Sequence, residues 1–213
     1  MQLFVQYGAH VQCLQGDQMS RAPDGGIPSI LEFTHGLVRQ VVRSADTVVD
    51  ATAGNGHDTL FLAGLVGPQG RVYGFDVQAQ ALENTARRLQ RHGAERQVTL
   101  FHAGHEAAGR LLPAGTENLA CAMFNLGYLP GSDKQVVTTW HTTEAALRAV
   151  MPLLRAGGLV TLHLYTGHAG GSAEAAAVHD FCAALPWDGW RVLRYDFLNK
   201  EKNRETLLAL CRQ

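Results

Sequence analysis

The chain has 213 residues, 46% of them hydrophobic and 17% charged. That is enough to bury one sizeable core and too apolar for bulk disorder. Eighteen Lys and Arg against nineteen Asp and Glu leave a formal charge of −1, which excludes a coat protein held on nucleic acid by a broad positive field.

No apolar run nears the ~20 residues that span a bilayer, and the start lacks the basic and apolar regions of a signal peptide. The four cysteines, Cys13, Cys121, Cys182 and Cys211, form no C-x-x-C pair. No zinc or redox motif is indicated, and a reducing cytoplasm is the expected compartment.

Residues 1–28 have no period and carry Gly16, Pro23, Gly25, Gly26 and Pro28. They read as a flexible extension ahead of a single domain at 29–213. Ile30, Leu31, Phe33, Leu37, Val38, Val41 and Val42 then recur at helical spacing behind Ser29, a candidate N-cap. A helix is predicted over 29–43. Strands and helices alternate from there: strand 47–51, helix 58–66, strand 71–75, helix 78–92, strands 97–102 and 119–124, helix 138–154, strand 157–165 and helix 172–185. Two further strands close the series, 191–197 and 206–211. Repeated β-α units with continuous apolar strands predict a doubly wound, Rossmann-like α/β sheet, mostly parallel, with an antiparallel C-terminal edge strand.

In such sheets ligands bind beyond the carboxyl ends of the strands. The first strand runs into Asp50-Ala51-Thr52-Ala53-Gly54-Asn55-Gly56-His57-Asp58-Thr59. Its glycines permit a tight turn, and the helix that follows offers free N–H groups. G-x-G-x-x-G is absent because Thr59 stands at the third glycine position, which weakens a dinucleotide reading. A turn without ligand stays open. The D-x-x-x-G-x-G pattern resembles motif I of class I S-adenosylmethionine-dependent methyltransferases. Asp76, ending the second strand, can accept both ribose hydroxyls of an adenosine moiety, although a lone Asp there also caps helices. His105 is placed to stack on or hydrogen-bond the base. A metal site at His102 and His105 lacks supporting ligands.

The fourth strand ends in Asn125-Leu126-Gly127-Tyr128-Leu129-Pro130-Gly131-Ser132-Asp133-Lys134, similar in logic to the Asn-Pro-Pro-Tyr loops of amino-group methyltransferases. The Asn125 amide oxygen and a backbone carbonyl of Leu126 or Gly127 can accept the two N–H bonds of a primary amine, while the Tyr128 ring packs on a flat base. His168 and Asp133 are candidates to remove the amine proton, and His35 is a weaker one. The bland reading of this loop is a rigid Gly/Pro turn. Arg87 and Arg91 share a helix face, which reads first as a solvated face. Lys134, Lys200, Lys202 and Arg204 are stronger candidates for RNA contact, since they flank the proposed site.

DATAGNGHDTLFLA at 50–63, FDVQ at 75–78, GHE at 104–106, NLGYLPGSDK at 125–134 and YTGHAGG at 165–171 together resemble the YtqB/MnmM-like family, long labelled "putative rRNA methylase". The resemblance covers about 29–213. It implies S-adenosylmethionine as cofactor, held by Asp50, Thr52, Gly54, Asn55, Gly56, His57, Asp58, Thr59, Asp76, Gln78, His105, Glu106 and Asn125. It also implies methylation of 5-aminomethyl(-2-thio)uridine at tRNA position 34, with the anticodon stem-loop as partner. A homodimer is suggested by the apolar helices and the family. The segment 198–205 keeps asparagines and lacks the prolines the family tends to carry there. The rival readings are the same cofactor with rRNA or a small amine as substrate, and a cofactor-binding module without catalysis.

Overall fold

The computed structural model describes residues 26–127, 137–167, 169–200 and 205–213. The expected extension at 1–28 therefore lies outside the described residues except at its end. Helix α1, Ile30–Val41, starts on a reciprocal cap. The Ser29 hydroxyl accepts the Glu32 backbone N–H, and the Glu32 carboxylate accepts the Ser29 backbone N–H.

The chain then builds β1 (Thr47–Asp50), α2 (His57–Val66), β2 (Arg71–Asp76), α3 (Ala79–Arg91), β3 (Val98–His102), a 3₁₀ turn at His105–Ala107 running into α4 (Ala108–Leu111), and β4 (Leu119–Leu126). It continues with α5 (Trp140–Val150), β5 (Leu154–Tyr165), α6 (Gly171–Ala183), β6 (Trp190–Tyr195) and β7 (Glu205–Arg212). The strands form one sheet in the order β3-β2-β1-β4-β5-β7-β6. The pairs among β1 to β5 are parallel, and β7 pairs antiparallel with both β5 and β6. The C-terminal antiparallel pairing is as expected, with β7 one position in from the edge and β6 outermost.

Alternation along the strands sorts side chains to two faces. In β4, Cys121 and Met123 pack with Val38 of α1, Leu62 and Val66 of α2 and Leu89 of α3. Ala122, Phe124 and Leu126 face the other way, onto Ala108 of α4, Leu147 and Val150 of α5 and Val178 of α6. The sheet thus carries α1–α3 on one face and α4–α6 on the other. This alternation also sends the Asn125 side chain to the α1–α2 face.

Two boundaries differ from expectation by three residues or more. The helix expected through Leu154 stops at Val150, where Pro152 sits in a 3₁₀ turn, because proline supplies no N–H to continue a helix. The strand after it begins at Leu154 instead of 157, taking up the offset through a register shift against Leu119–Cys121. The short helix α4 was not anticipated. Four residues are too few to show a period.

Candidate functional site

The strand order reverses between β1 and β4, and a cleft of about 790 Å³ opens at their carboxyl ends. It is lined by the β1 loop, the ends of β2 and β4, the turn after β3, and residues from β5 and β7.

Asp50 is fully buried beneath the β1 loop. It accepts the Thr59 hydroxyl at 2.6 Å and the Thr52 backbone N–H at 3.2 Å. Burial, with the Asp58 charge behind it, pushes its carboxyl up to about 7. Gly56 sits at φ +80°, where a Cβ would come within 2.9 Å of Thr85 on α3. Asp50, Gly56 and Thr59 were expected among the cofactor contacts. All three are turned into the protein and shape the loop, whereas Thr52, Gly54, Asn55, His57 and Asp58 line the cleft.

Asp76 and Gln78 line the next wall. The Asp76 carboxylate accepts the Gly54 and Gln78 backbone N–H groups, each at 2.8 Å. Each oxygen keeps a further lone pair for a hydroxyl. His105 and Glu106 follow. His105 is 5% exposed, lies edge-on to Phe124 and hydrogen-bonds the Ala51 backbone. Burial holds its pKa below the ordinary value, so the ring is neutral. Its Nε2 is buried without a partner. An orphan nitrogen on the cleft wall, beside the Asp76–Gln78 wall because β3 pairs directly with β2, fits the base and ribose of an adenosine group.

The far wall is a buried polar chain. His35 of α1 stacks on Phe61 at 3.9 Å, and its Nε2 lies 2.7 Å from Asp58 Oδ1. The Asn125 amide donates to Asp58 Oδ2 at 2.8 Å, and its backbone N–H donates to Thr52 Oγ1 at 2.7 Å. Burial pushes the Asp58 carboxyl up, but the hydrogen bond and charge of His35 and the Asn125 amide bring it below its ordinary value. With Nδ2 committed to Asp58, Oδ1 is the amide atom left to accept.

Beside Asn125 in register stands His163. It is stacked under Tyr165, whose hydroxyl is 3.1 Å from His163 Nδ1, and His163 Nε2 is 3.5 Å from Glu205 Oε2. Burial depresses the His163 pKa against the pull of Glu205 and Asp58, and raises that of the Tyr165 hydroxyl. Tyr165 and Glu205 line the cleft.

Of the residues expected to meet substrate, Gly127 lines the cleft. The Leu126 side chain is buried in the core, which leaves only its backbone for such a role. Lys200 is half exposed and paired with Glu205 at 3.3 Å. Tyr128, Asp133, Lys134, His168, Lys202 and Arg204 lie outside the described residues. The segment 128–136 leaves from Gly127 and returns at Thr138, whose backbone N–H donates to the Gly127 carbonyl at 3.0 Å. Thr138 and Thr143 both donate to the buried Glu174 of α6, at 2.7 and 2.8 Å.

His163, Tyr165, Glu205 and Glu174 were missed from sequence, and His35 was ranked last. The available signal was the pair His163 and Tyr165, two apart on one face at the carboxyl end of an otherwise apolar strand.

A family model described as "Putative rRNA methylase" matches residues 72–211. The chain is 38% identical over 179 residues to the chloroplastic tRNA (mnm(5)s(2)U34)-methyltransferase of Arabidopsis thaliana. That match covers 79% of this chain and 64% of the relative, so the chain spans somewhat under two thirds of that protein's length. A solved structure described as a "putative rRNA-methylase" from Clostridium thermocellum superposes with a TM-score of 0.84 at 37% identity, over 88% of this chain and all of that one. SMU.1697c, described as "a putative methyltransferase" from Streptococcus mutans and solved in complex with SAH, gives 0.79 at 32% identity, again over 88% of this chain and all of that one.

Proposed function

Since the chain belongs to the family described as "Putative rRNA methylase", we propose that it is an S-adenosylmethionine-dependent N-methyltransferase. Its substrate is the exocyclic amine of 5-aminomethyl(-2-thio)uridine at tRNA position 34. The observation that carries this reading is the Asn125 amide, fixed by Asp58 so that an acceptor oxygen is left at the switch point. The substrate reading is supported by the curated relative's own name.

Asp76 and Gln78 would hold the ribose, His105 the base, and the Thr52–Asp58 loop the amino-acid end of the cofactor. When bound, S-adenosylmethionine supplies an electrophilic sulfonium methyl. The protein's part is positioning, which is worth several kcal/mol and up to roughly 7–11 in the best intramolecular cases. Asn125 Oδ1 and the backbone after it accept the amine N–H groups and point the nitrogen lone pair along one line. The amine must be neutral to attack, and removal from water disfavours its ammonium form. On the same wall, Glu205 carries a carboxylate able to take the released proton, with neutral His163 3.5 Å behind it.

The test is nucleoside mass analysis of tRNA bearing 5-aminomethyluridine after incubation with enzyme and cofactor. Gain of one CH₂ unit at that nucleoside is expected. Absence of the gain, with cofactor binding intact by calorimetry, refutes the substrate.

A further inference from the structure

Next to the cleft, α3 and the β1 loop border a second, open pocket of about 350 Å³, lined by Asn55, His57, Asn84, Arg87, Arg88 and Arg91. Every lining residue is polar and three are guanidinium bearers. Arg88 is drawn onto the loop: its Nε donates to the Asn55 carbonyl at 2.8 Å and Nη2 lies 2.9 Å from His57 Nε2. Asn84 Nδ2 donates to Asn55 Oδ1 at 2.9 Å. Arg87 has a loose, exposed partner, Glu83 at 3.6 Å. Among the described residues neither Arg88 nor Arg91 pairs with a carboxylate. A helix face of solvated arginines would extend outward. Here one is folded back to make a wall, and Arg88 and Arg91 are left without a carboxylate in a concavity.

We infer that this cavity binds a backbone phosphate of the RNA substrate, an inference that rests on the tRNA reading above. The lack of any apolar or aromatic side chain in the lining disfavours a base or an acyl group. Guanidinium forks match phosphate oxygens, and the dipole of α2, which begins at His57, favours an anion at the same place. Asn55 and His57 border both this cavity and the cleft, so a strand held here runs next to the reacting base. Within a chain of net charge −1, this is a concentrated positive site, separate from the lysines near the C-terminal strands.

The test is the double variant Arg87→Gln, Arg91→Gln, which leaves Arg88 and the loop intact. The probes are an anticodon stem-loop RNA bearing 5-aminomethyluridine, titrated at several salt concentrations, and S-adenosylmethionine, titrated by calorimetry. The expected result is RNA affinity lowered about tenfold and a shallower salt slope, by roughly 0.7–0.9 per lost phosphate contact, with cofactor affinity within twofold of wild type. Unchanged RNA affinity and slope would overturn the inference. So would a variant that loses cofactor affinity while keeping RNA affinity, since the cavity would then serve the cofactor. A wild type that binds the stem-loop but never methylates it sinks the substrate reading and leaves this one readable. A wild type that does not bind RNA sinks both.

Discussion

Asn125 and Asp50 carry the sharpest expectations for single side chains. Asn125 is held by Asp58 and Thr52 rather than by the core, so Asn125→Ala removes an amine acceptor together with one hydrogen bond to Asp58. Turnover should fall at least about 100-fold, while cofactor affinity stays within about tenfold, roughly 1.4 kcal/mol. Equal losses in both would make Asn125 a cofactor ligand only. Asp50 is a carboxyl whose folded-state pKa, about 7, lies above its ordinary 3.8. The folded state therefore binds the proton more tightly than the unfolded chain. Its contribution is fully present below about pH 4 and is lost as pH rises through 7, by about 4 kcal/mol at most at one pKa unit per 1.36 kcal/mol. Denaturant melts of wild type and Asp50→Asn at pH 5 and pH 8 should show a smaller loss between the two pH values in the variant. An identical loss in both would assign the pH dependence elsewhere.

At the scale of elements, Glu174 of α6 accepts the Thr138 and Thr143 hydroxyls and so ties Thr138 to the helix layer. Glu174→Ala leaves two threonine hydroxyls without their acceptor and should cost about 1–3 kcal/mol in melts. It should also raise the KM for RNA and leave cofactor affinity unchanged, because the Asp76 wall is on the other side of β1. Glu174→Gln keeps one acceptor and should fall between; a null effect on KM would separate the clamp from RNA binding.

Much at this scale was legible in the sequence. The Ser29 cap, the β-α alternation and the D-x-x-x-G-x-G turn follow local rules that tertiary contacts did not override. The short α4 and the true end of α5 were not legible. The first is too brief for periodicity, and the second depends on a Pro and a sheet offset. The polar chain His35–Asp58–Asn125 joins three elements far apart in sequence, and no spacing rule encodes it. Asp50 and Thr59 were read as ligands because a motif gives positions without saying which way side chains turn. Here burial turned them inward.

For the molecule as a whole, a charge of −1 means that RNA attraction is local. If the phosphate contacts number about three, the log–log salt slope of stem-loop binding should be near −2 to −3. A slope steeper than about −6 would mean that the nucleic acid spreads over much of the surface. The placement of β7 between β5 and β6 has a different kind of consequence, one of timing. A chain is made from its amino end. The walls for ribose, base and loop are complete once β4 has been made, whereas Glu205 arrives only with β7. Until then β6 has no neighbour to pair with, and β5 presents an open edge. A nascent or clipped chain that stops short of Glu205 can therefore own every described residue of the cofactor wall and still lack part of the wall beside the amine. Under the proposed function, the order of synthesis supplies the cofactor wall before Glu205 joins the wall beside the amine.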